Sequence, residues 1–329
     1  MIKRAVLISI SILLLAGCAS STGRLGTWEG PGTSAPVSTN AWAARPGGQQ
    51  LNTEHYRIYT TLTDEQILKT LPQVMEGALQ EYREVLPNIP LTGRPMDCYV
   101  FNTRNEWVDF TARYTGPEAK IYLQINRGGY CLRDWYVAYY LGDASTYAVA
   151  SHEGWHQFVN RHFKGRIPPF LEEGLACTFE SVKYGGDLPR WNRSINPNRI
   201  MGLRHAIDSH SLYPLEKVIM MHAGQVVDQS GYRVEAFYAQ AWAFARFLID
   251  GEGGRYRPGL QKLLADIAAG TVPDPTGAMR NNRLNWNPGG VKPVFEQYLG
   301  VPFAEIDREY QAYIHKIVDT ELAAHFASN

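Results

Sequence analysis

Apolar and polar positions follow two different periods along the chain after residue 50. Residues 55–61 alternate at every second position and are rich in β-favouring side chains, which predicts a strand. Residues 64–86 instead carry apolar side chains at helical spacing, with Thr63 as a candidate N-cap, which predicts an amphipathic helix. The same two periods predict further elements in this half of the chain: strands at 96–101, 121–125, 127–132 and 135–141, and a short helix at 105–114.

Helical spacing dominates beyond residue 180. The apolar positions there predict a series of helices, at 199–209, 214–221, 234–250, 258–269 and 303–322. The sequence therefore predicts an α+β fold, with an N-terminal mixed β-sheet lobe that carries helices and a mostly helical C-terminal lobe. One large domain, residues 51–329, accommodates both lobes, with bounds of about 51–163 and 164–329.

A helix predicted to begin near Ser145 carries the candidate chemistry of the chain. His152 and His156 are four residues apart, so both imidazoles project from one face and can grip a single metal ion. Glu153 is turned about 100° from His152, beside the metal, where it is placed to act as a general base. The alternative interpretation is a pair of partly buried histidines on an amphipathic helix.

A second short helix is predicted after the stop signal at Pro168 and Pro169. This segment, residues 170–180, carries Glu172, Glu173 and Glu180. A catalytic zinc ion takes three protein ligands, and two histidines with one glutamate are a common set. The segment therefore supplies the acid that the two histidines would need.

Together, His152-Glu153-x-x-His156 and the downstream run Leu171-Glu172-Glu173-Gly174-Leu175-Ala176 resemble the gluzincin metallopeptidases. The resemblance implies a zincin-like fold, an active-site helix and one Zn²⁺ per chain. It assigns Glu173, the glutamate directly before the glycine, as the third ligand beside His152 and His156. Sixteen residues separate His156 from Glu173, a spacing similar to that of uncharacterised secreted bacterial gluzincin-like proteins.

Further roles follow from the same resemblance. Tyr238 is expected to hold the oxyanion of the tetrahedral intermediate, with His205, His210 and His222 as rivals for that role. The alternative for Tyr238 is a core aromatic, because the helix at 234–250 is apolar nearly all round.

The resemblance also makes the strand just ahead of the active-site helix an exposed edge, which would pair with the substrate backbone. Glycines in 127–132 indicate either a plain turn or a backbone that is approached closely. The glutamate with which the aminopeptidase branch holds a substrate amine is missing from this segment, so no aminopeptidase is inferred.

The first residues are typical of a secreted lipoprotein. Lys3 and Arg4 precede a short apolar run, and the segment ends in Leu15-Ala16-Gly17-Cys18, which predicts a signal peptide over residues 1–17. The alternative, a transmembrane helix, would need about 20 apolar residues. The end of the segment resembles a lipobox, which implies acylation of Cys18, a membrane anchor and a place in the bacterial envelope. Ala19 resembles the outer-membrane sorting pattern, facing the periplasm.

Residues 18–50 are rich in Ser, Thr, Gly, Pro and Ala, which predicts a flexible tether. The chain has 32 basic and 32 acidic residues, and this balance argues against a nucleic-acid partner. Three cysteines remain after lipidation; Cys98 and Cys131 are the favoured disulfide pair, and Cys177 is expected to pack under the site. The oligomeric state stays open.

The sequence thus predicts a zinc-dependent peptide-bond hydrolase, in which Glu153 activates the water, acting on a peptide or protein substrate. Two alternatives remain. One is a catalytically silent gluzincin-like lipoprotein that serves as a binding or scaffold module in the envelope. The other is a hydrolase that acts on something other than ordinary peptides, such as the peptide stems of the cell wall.

Overall fold

A computed structural model of the chain describes residues 27–86, 88–91, 93–184, 188–226, 231–272 and 288–327. The predicted signal peptide, Cys18 and the first part of the predicted tether lie outside the described residues. Within the described ranges, no helix has both the length and the apolar character needed to cross a membrane.

A six-stranded mixed sheet forms the N-terminal half. In chain order its strands are β1 (Ser38–Ala41), β2 (Gln49–Asn52), β3 (Tyr56–Thr60), β4 (Met96–Phe101), β5 (Gly129–Leu132) and β6 (Trp135–Tyr139). Their order in space is β1-β2-β3-β4-β6-β5. The central strands β3, β4 and β6 run parallel, and the outer strands pair antiparallel to their neighbours.

Helices cover both faces of this sheet. The side chains of Ile58, Cys98 and Tyr136 lie in one buried core with residues of α1 (Glu65–Val85) and α4 (Asp143–His162). On the other face, Phe101, Val137 and Tyr139 pack against α2 (Arg104–Tyr114) and α3 (Ala119–Tyr122). The candidate helix α4 therefore lies directly on the sheet.

The C-terminal half is helical apart from a two-stranded sheet, as predicted. Its elements are α5 (Pro169–Thr178), β7 (Val182–Lys183), β8 (Arg190–Trp191), α6 (Pro197–Asp208), α7 (Leu215–Val218), α8 (Gly231–Asp250), α9 (Arg257–Ala269), α10 (Val291–Leu299) and α11 (Phe303–Ala327). Short 3₁₀ turns lie at Gly116–Glu118, Ala223–Gln225, Gly251–Gly254 and Pro288–Gly290. The predicted α+β arrangement, a mixed N-terminal sheet followed by a helical region, is confirmed at this level. Helix α10 was not predicted.

The prediction of a flexible tether is wrong for its described part, residues 27–50. Strand β1 belongs to the sheet, and Glu29 forms a β-bridge with Trp191. The amide of Gln73 binds both the N–H and the C=O of Ala35, at 2.7 and 3.0 Å. This segment has too few apolar residues to form a core of its own. It is ordered because the sheet edge and α1 supply its hydrogen-bond partners.

Three local predictions are corrected. The predicted strand at 121–125 is a helical turn at its start, and Tyr122 stacks on Tyr130 with ring centroids 4.2 Å apart. Its apolar residues cover the sheet face instead of extending the sheet. Asp64, rather than Thr63, caps α1 by accepting a hydrogen bond from the backbone N–H of Ile67. Helix α4 likewise begins at Asp143 with Gly142 as its N-cap, three residues ahead of Ser145, the predicted N-cap.

The favoured disulfide between Cys98 and Cys131 is also wrong, because both thiols are free. Cys98 lies opposite Tyr136 on β6, and Tyr136 in turn lies opposite Cys131 on β5. Two strand spacings amount to about 9–10 Å, beyond the separation of about 7 Å that a disulfide can span.

Candidate metal centre

Three ligand atoms converge where α4 faces α5. His152 Nε2 and His156 Nε2 are 3.3 Å apart, and Glu173 Oε2 lies 3.4 Å from the first and 3.6 Å from the second. Ligands about 2.0–2.1 Å from a tetrahedral zinc ion are separated from one another by about 3.3–3.4 Å. The three atoms therefore form one face of a tetrahedron of the size that zinc requires.

The donor set fits zinc in chemistry as well as in size. Two imidazoles and one carboxylate are a ligand set of catalytic zinc sites, which leave one position open. Oε2 of Glu173 is buried and, within the described part of the chain, accepts no hydrogen bond. A bound cation would satisfy this oxygen, which otherwise carries the cost of burial without a partner.

Each histidine is oriented by a carboxylate on its other ring nitrogen. His152 Nδ1 lies 2.9 Å from Glu180 Oε1, and His156 Nδ1 lies 3.0 Å from Glu172 Oε1. Partners of this kind fix the tautomer and the ring orientation of metal-binding histidines. Both Nε2 atoms are therefore free to face Glu173, and Glu172 serves as a partner of His156 rather than as a surface acid.

Helix α4 is held in position by buried hydrogen bonds to α1 and to the sheet. Tyr82 on α1 donates a hydrogen bond of 2.5 Å to the carbonyl of Ser151. The buried side chain of Gln157 donates to the carbonyls of Asp97 and Asp134, at 2.8 and 2.7 Å. The residues directly before and after the histidine pair are thus bound to α1 and to the sheet, which sets the direction of both imidazoles.

The local charges favour a cation. Burial alone would lower the pKa of His156, but Glu173 and Glu172 raise it to about 10. Burial likewise opposes protonation of His152, yet its contacts with Cys177 and two glutamates raise its pKa well above the usual value. Burial alone would raise the pKa of Glu173, but the two imidazoles lower it below its usual range. The cluster therefore holds positive charge strongly, as protons or as a metal ion.

Zinc binding is accordingly expected to release protons at pH 7. A histidine whose pKa lies near 10 is protonated at pH 7 in the metal-free protein, and it must lose that proton to bind zinc. The apparent affinity for zinc should therefore rise with pH and fall on acidification. Adding zinc to weakly buffered protein with a pH indicator should release about one proton or more per ion bound. Stoichiometric binding without proton release would contradict this assignment of charge.

Glu153 lies against the edge strand β5. A Cβ atom on Gly129 would lie 3.2 Å from Cγ of Glu153 and 2.9 Å from the carbonyl oxygen of Val137. The glycine thus lets the strand approach the helix closely, as one of the two interpretations of the glycines at 127–132 predicted. Burial raises the pKa of Glu153, although His152 and His156 oppose that rise. A carboxylate with a raised pKa is a stronger base than an exposed one.

The exposed edge predicted from the resemblance is misplaced by one strand. Strand β6, which directly precedes α4, lies between β4 and β5, and β5 is the strand at the edge. The tight turn at Arg133, with φ of 57°, folds β5 back along the outer side of β6. Among the described residues, the sheet edge beside Glu153 is therefore β5.

Tyr238 is the oxyanion candidate that the fold brings to the site. Its ring centroid lies 6.4 Å from that of His152. Burial, together with the nearby Glu173, raises the pKa of Tyr238 well above its usual value, so its hydroxyl keeps its proton and can donate. Of its rivals, His205 and His210 are solvent-exposed, and His222 is half-buried beside Gly224.

Sequence reasoning missed two residues around the site, Asn196 and Arg199. Both donate hydrogen bonds to the carboxylate of Glu180, the partner of His152. Asn196 caps α6, and the pair Asn196-Pro197 is a recognisable helix start that could have indicated a helix here instead of a loop. The sequence carries no signal that Arg199 pairs with an acid 19 positions earlier.

Cys177 is buried near the site, as expected. Its Sγ forms a second group with ligand atoms of His152 and Glu180, all within 4.8 Å of one another. Glu180 is engaged by Arg199 on the same carboxylate, so a cation already neutralises this second group. The group formed by His152, His156 and Glu173 is therefore the better candidate for a metal.

In comparisons with known proteins, no family model, no curated protein and no solved structure matches the chain.

Proposed function

We propose that this protein is a zinc-dependent peptide-bond hydrolase with a zincin-like fold of the gluzincin type. The observation that carries the proposal is the triangle formed by His152 Nε2, His156 Nε2 and Glu173 Oε2, with sides of 3.3, 3.4 and 3.6 Å. A catalytic site also needs a base next to the open metal position, and Glu153 follows the first ligand directly in sequence.

The proposed reaction assigns a separate task to each of these side chains. Zinc, when bound, supplies Lewis-acid activation of the attacking water and of the scissile carbonyl. Glu153 accepts the proton of that water and later delivers it to the leaving nitrogen. The two imidazoles and Glu173 hold the ion, while Glu172 and Glu180 keep the imidazoles in orientation.

Tyr238 completes the proposed constellation as a hydrogen-bond donor. The raised pKa keeps its phenol neutral, and a neutral phenol can donate to the oxygen on which negative charge develops. An acceptor at that position would not help, because charge stabilisation requires a donor. The ring is held in the helical half of the protein on α8, opposite the helix that carries the base.

The substrate backbone is proposed to lie along β5. Among the described residues this strand is an edge of the sheet, so one row of its N–H and C=O groups has no strand partner there. A peptide added there in extended form would gain main-chain hydrogen bonds irrespective of its side chains. Because Gly129 on this strand adjoins Glu153, a peptide paired with β5 would pass the base.

The resemblance of residues 15–18 to a lipobox supports an anchor at Cys18, in the outer membrane and facing the periplasm. Eight residues, 19–26, separate this cysteine from Thr27, the first described residue. Whatever its conformation, a chain of eight residues reaches at most about 26–29 Å. Because residues 27–50 belong to the folded domain, we propose that the domain stays close to the membrane surface.

The proposal is tested by metal content and hydrolysis in the same preparations. Full-length wild-type protein, offered zinc and freed of excess, is expected to hold about one zinc ion per chain, since the cluster provides a single set of three ligands. Glu173→Gln, which keeps the size of the side chain and loses its charge, should lose most of the metal. Glu65→Gln, on the exposed start of α1, is the control for the same chemical change and should retain it.

Hydrolysis is then measured by mass spectrometry on an unfolded protein substrate, with and without a chelator. Chelator-sensitive cleavage by the wild type supports the peptidase. Zinc binding without cleavage would favour the silent scaffold, and the absence of stoichiometric zinc would overturn the metal centre itself.

A further inference from the structure

The guanidinium group of Arg199 contacts both Glu180, the partner of His152, and Tyr238. Arg199, on the first turn of α6, donates from Nε to Glu180 Oε2 at 2.9 Å and from a terminal nitrogen to Glu180 Oε1 at 2.5 Å. Glu180 Oε1 in turn lies 2.9 Å from Nδ1 of His152. The arginine thus acts on His152 through one intervening carboxylate.

The same guanidinium also lies over an aromatic ring. Cζ of Arg199 is 5.1 Å from the centroid of the Tyr238 ring, within the range of a cation–π contact. The edge of the planar group therefore binds Glu180 while its face contacts Tyr238. Glu180 contacts His152, a candidate metal ligand. Tyr238 is itself the candidate oxyanion donor.

We propose that Arg199 is a positioning residue that orients both His152 and Tyr238. The inference rests on the proposed function and deepens it. Without Arg199, the Glu180 side chain, only 14% exposed, would lose its principal counter-charge. Its carboxylate would then turn toward solvent or toward other donors, and the ring of His152 would lose the partner that fixes its direction.

The arrangement requires an arginine rather than a positive charge alone. Two parallel N–H groups match the two oxygens of a carboxylate, and a flat guanidinium can stack on a ring at the same time. A lysine ammonium is a point charge, so it can approach either Glu180 or the ring of Tyr238 with good geometry, but not both. Asn196 helps, because its Nδ2 donates to Glu180 Oε2 at 2.8 Å, but it cannot supply charge.

The first experiment measures zinc affinity by chelator competition on the full-length protein, which does not depend on turnover. Arg199→Gln is expected to weaken zinc binding by about tenfold to a hundredfold, the usual effect of removing a partner behind a metal ligand. Arg204→Gln is the matched control, since Arg204 is five residues further along the same helix, with a side chain 44% exposed and paired with Asp208. Its affinity for zinc should equal that of the wild type.

Arg199→Lys keeps the positive charge and removes the planar guanidinium, so it tests geometry alone. It also replaces Arg199→Gln in the measurement if that variant fails to fold. An affinity below that of the wild type is expected for Arg199→Lys. Wild-type affinity in a folded Arg199→Gln or Arg199→Lys protein would overturn the inference while leaving the zinc peptidase intact. A wild type that binds no zinc would instead overturn the proposed function, and this inference with it.

The link to Tyr238 is tested by a double-mutant cycle on kcat at saturating zinc. If Arg199 acts through the tyrosine ring, Arg199→Lys should lower kcat less in a Tyr238→Phe background than in the wild type. Strictly additive losses would remove this half of the inference. A merely structural role of Arg199 would predict additive losses, together with a lower melting temperature and unchanged zinc affinity.

Discussion

Replacing Glu153 by glutamine is expected to lower kcat for peptide hydrolysis by about 10³-fold, within the range that general-base catalysis contributes, while the protein keeps its zinc. Glutamine has the shape of glutamate, so the close approach of Gly129 to this side chain is preserved. It cannot accept a proton from water at neutral pH. Since the three proposed ligands are His152, His156 and Glu173, the metal site itself is unaltered.

The measurement compares zinc content and turnover in the same samples of wild type and Glu153→Gln. Glu118→Gln, on an exposed turn near α3, controls for the loss of one acid and should match the wild type in both readouts. A Glu153→Gln protein with more than about a tenth of wild-type turnover would remove Glu153 as the base, because a general base contributes at least about 10²-fold.

The site residues that could be predicted from the sequence are those whose relative positions are set by spacing within one helix. His152, Glu153 and His156 lie on one helix, so helical spacing alone fixes their relative directions before any tertiary contact is known. Glu173 follows on the next helix, after a proline stop, and its Oε2 lies 3.4 and 3.6 Å from the two histidines, while its assignment as the third ligand stays a prediction. The β3, α1 and β4 elements were predicted for the same reason, since each has a clear period of its own.

Contacts between distant segments were not predictable in this way. The partnership of Arg199 with Glu180 depends on how α6 meets the end of α5, and no spacing rule connects the two. The position of β5 outside β6 depends on a turn at Arg133, a residue that does not favour a positive φ. Residues 27–50 have the composition of a linker, yet they are ordered by the amide of Gln73 and by pairing with the rest of the sheet.

The close contact between α5 and α8 requires a residue without a side chain at position 174, next to the candidate metal site. A Cβ atom on Gly174 would lie 2.2 Å from the carbonyl oxygen of Ala241 and 3.2 Å from Cβ of Ala245. No real carbon atom approaches a backbone oxygen so closely, so any larger residue must push the two helices apart. Glu173 precedes this glycine on α5, and Tyr238 lies one turn before Ala241 on α8. A separation at this point therefore changes the distance between Glu173, the proposed third ligand, and Tyr238, the proposed oxyanion donor.

Gly174→Ala is accordingly expected to lower the free energy of unfolding of the metal-free protein by about 2 kcal/mol, which is an overpacking cost of about 3 kcal/mol less a gain in helix propensity of about 1 kcal/mol. Zinc affinity should fall as well, because Glu173 moves away from His152 and His156.

Gly202→Ala is the matched control: its Cβ would lie 3.4 Å from Cβ of Ala239 on the same helix α8, an ordinary contact. Helix propensity should make that variant more stable by up to about 1 kcal/mol, with unchanged zinc affinity. Urea denaturation and chelator competition measure both quantities, and equal stability of the two variants would mean that α5 and α8 do not meet as closely as the contact at Gly174 requires.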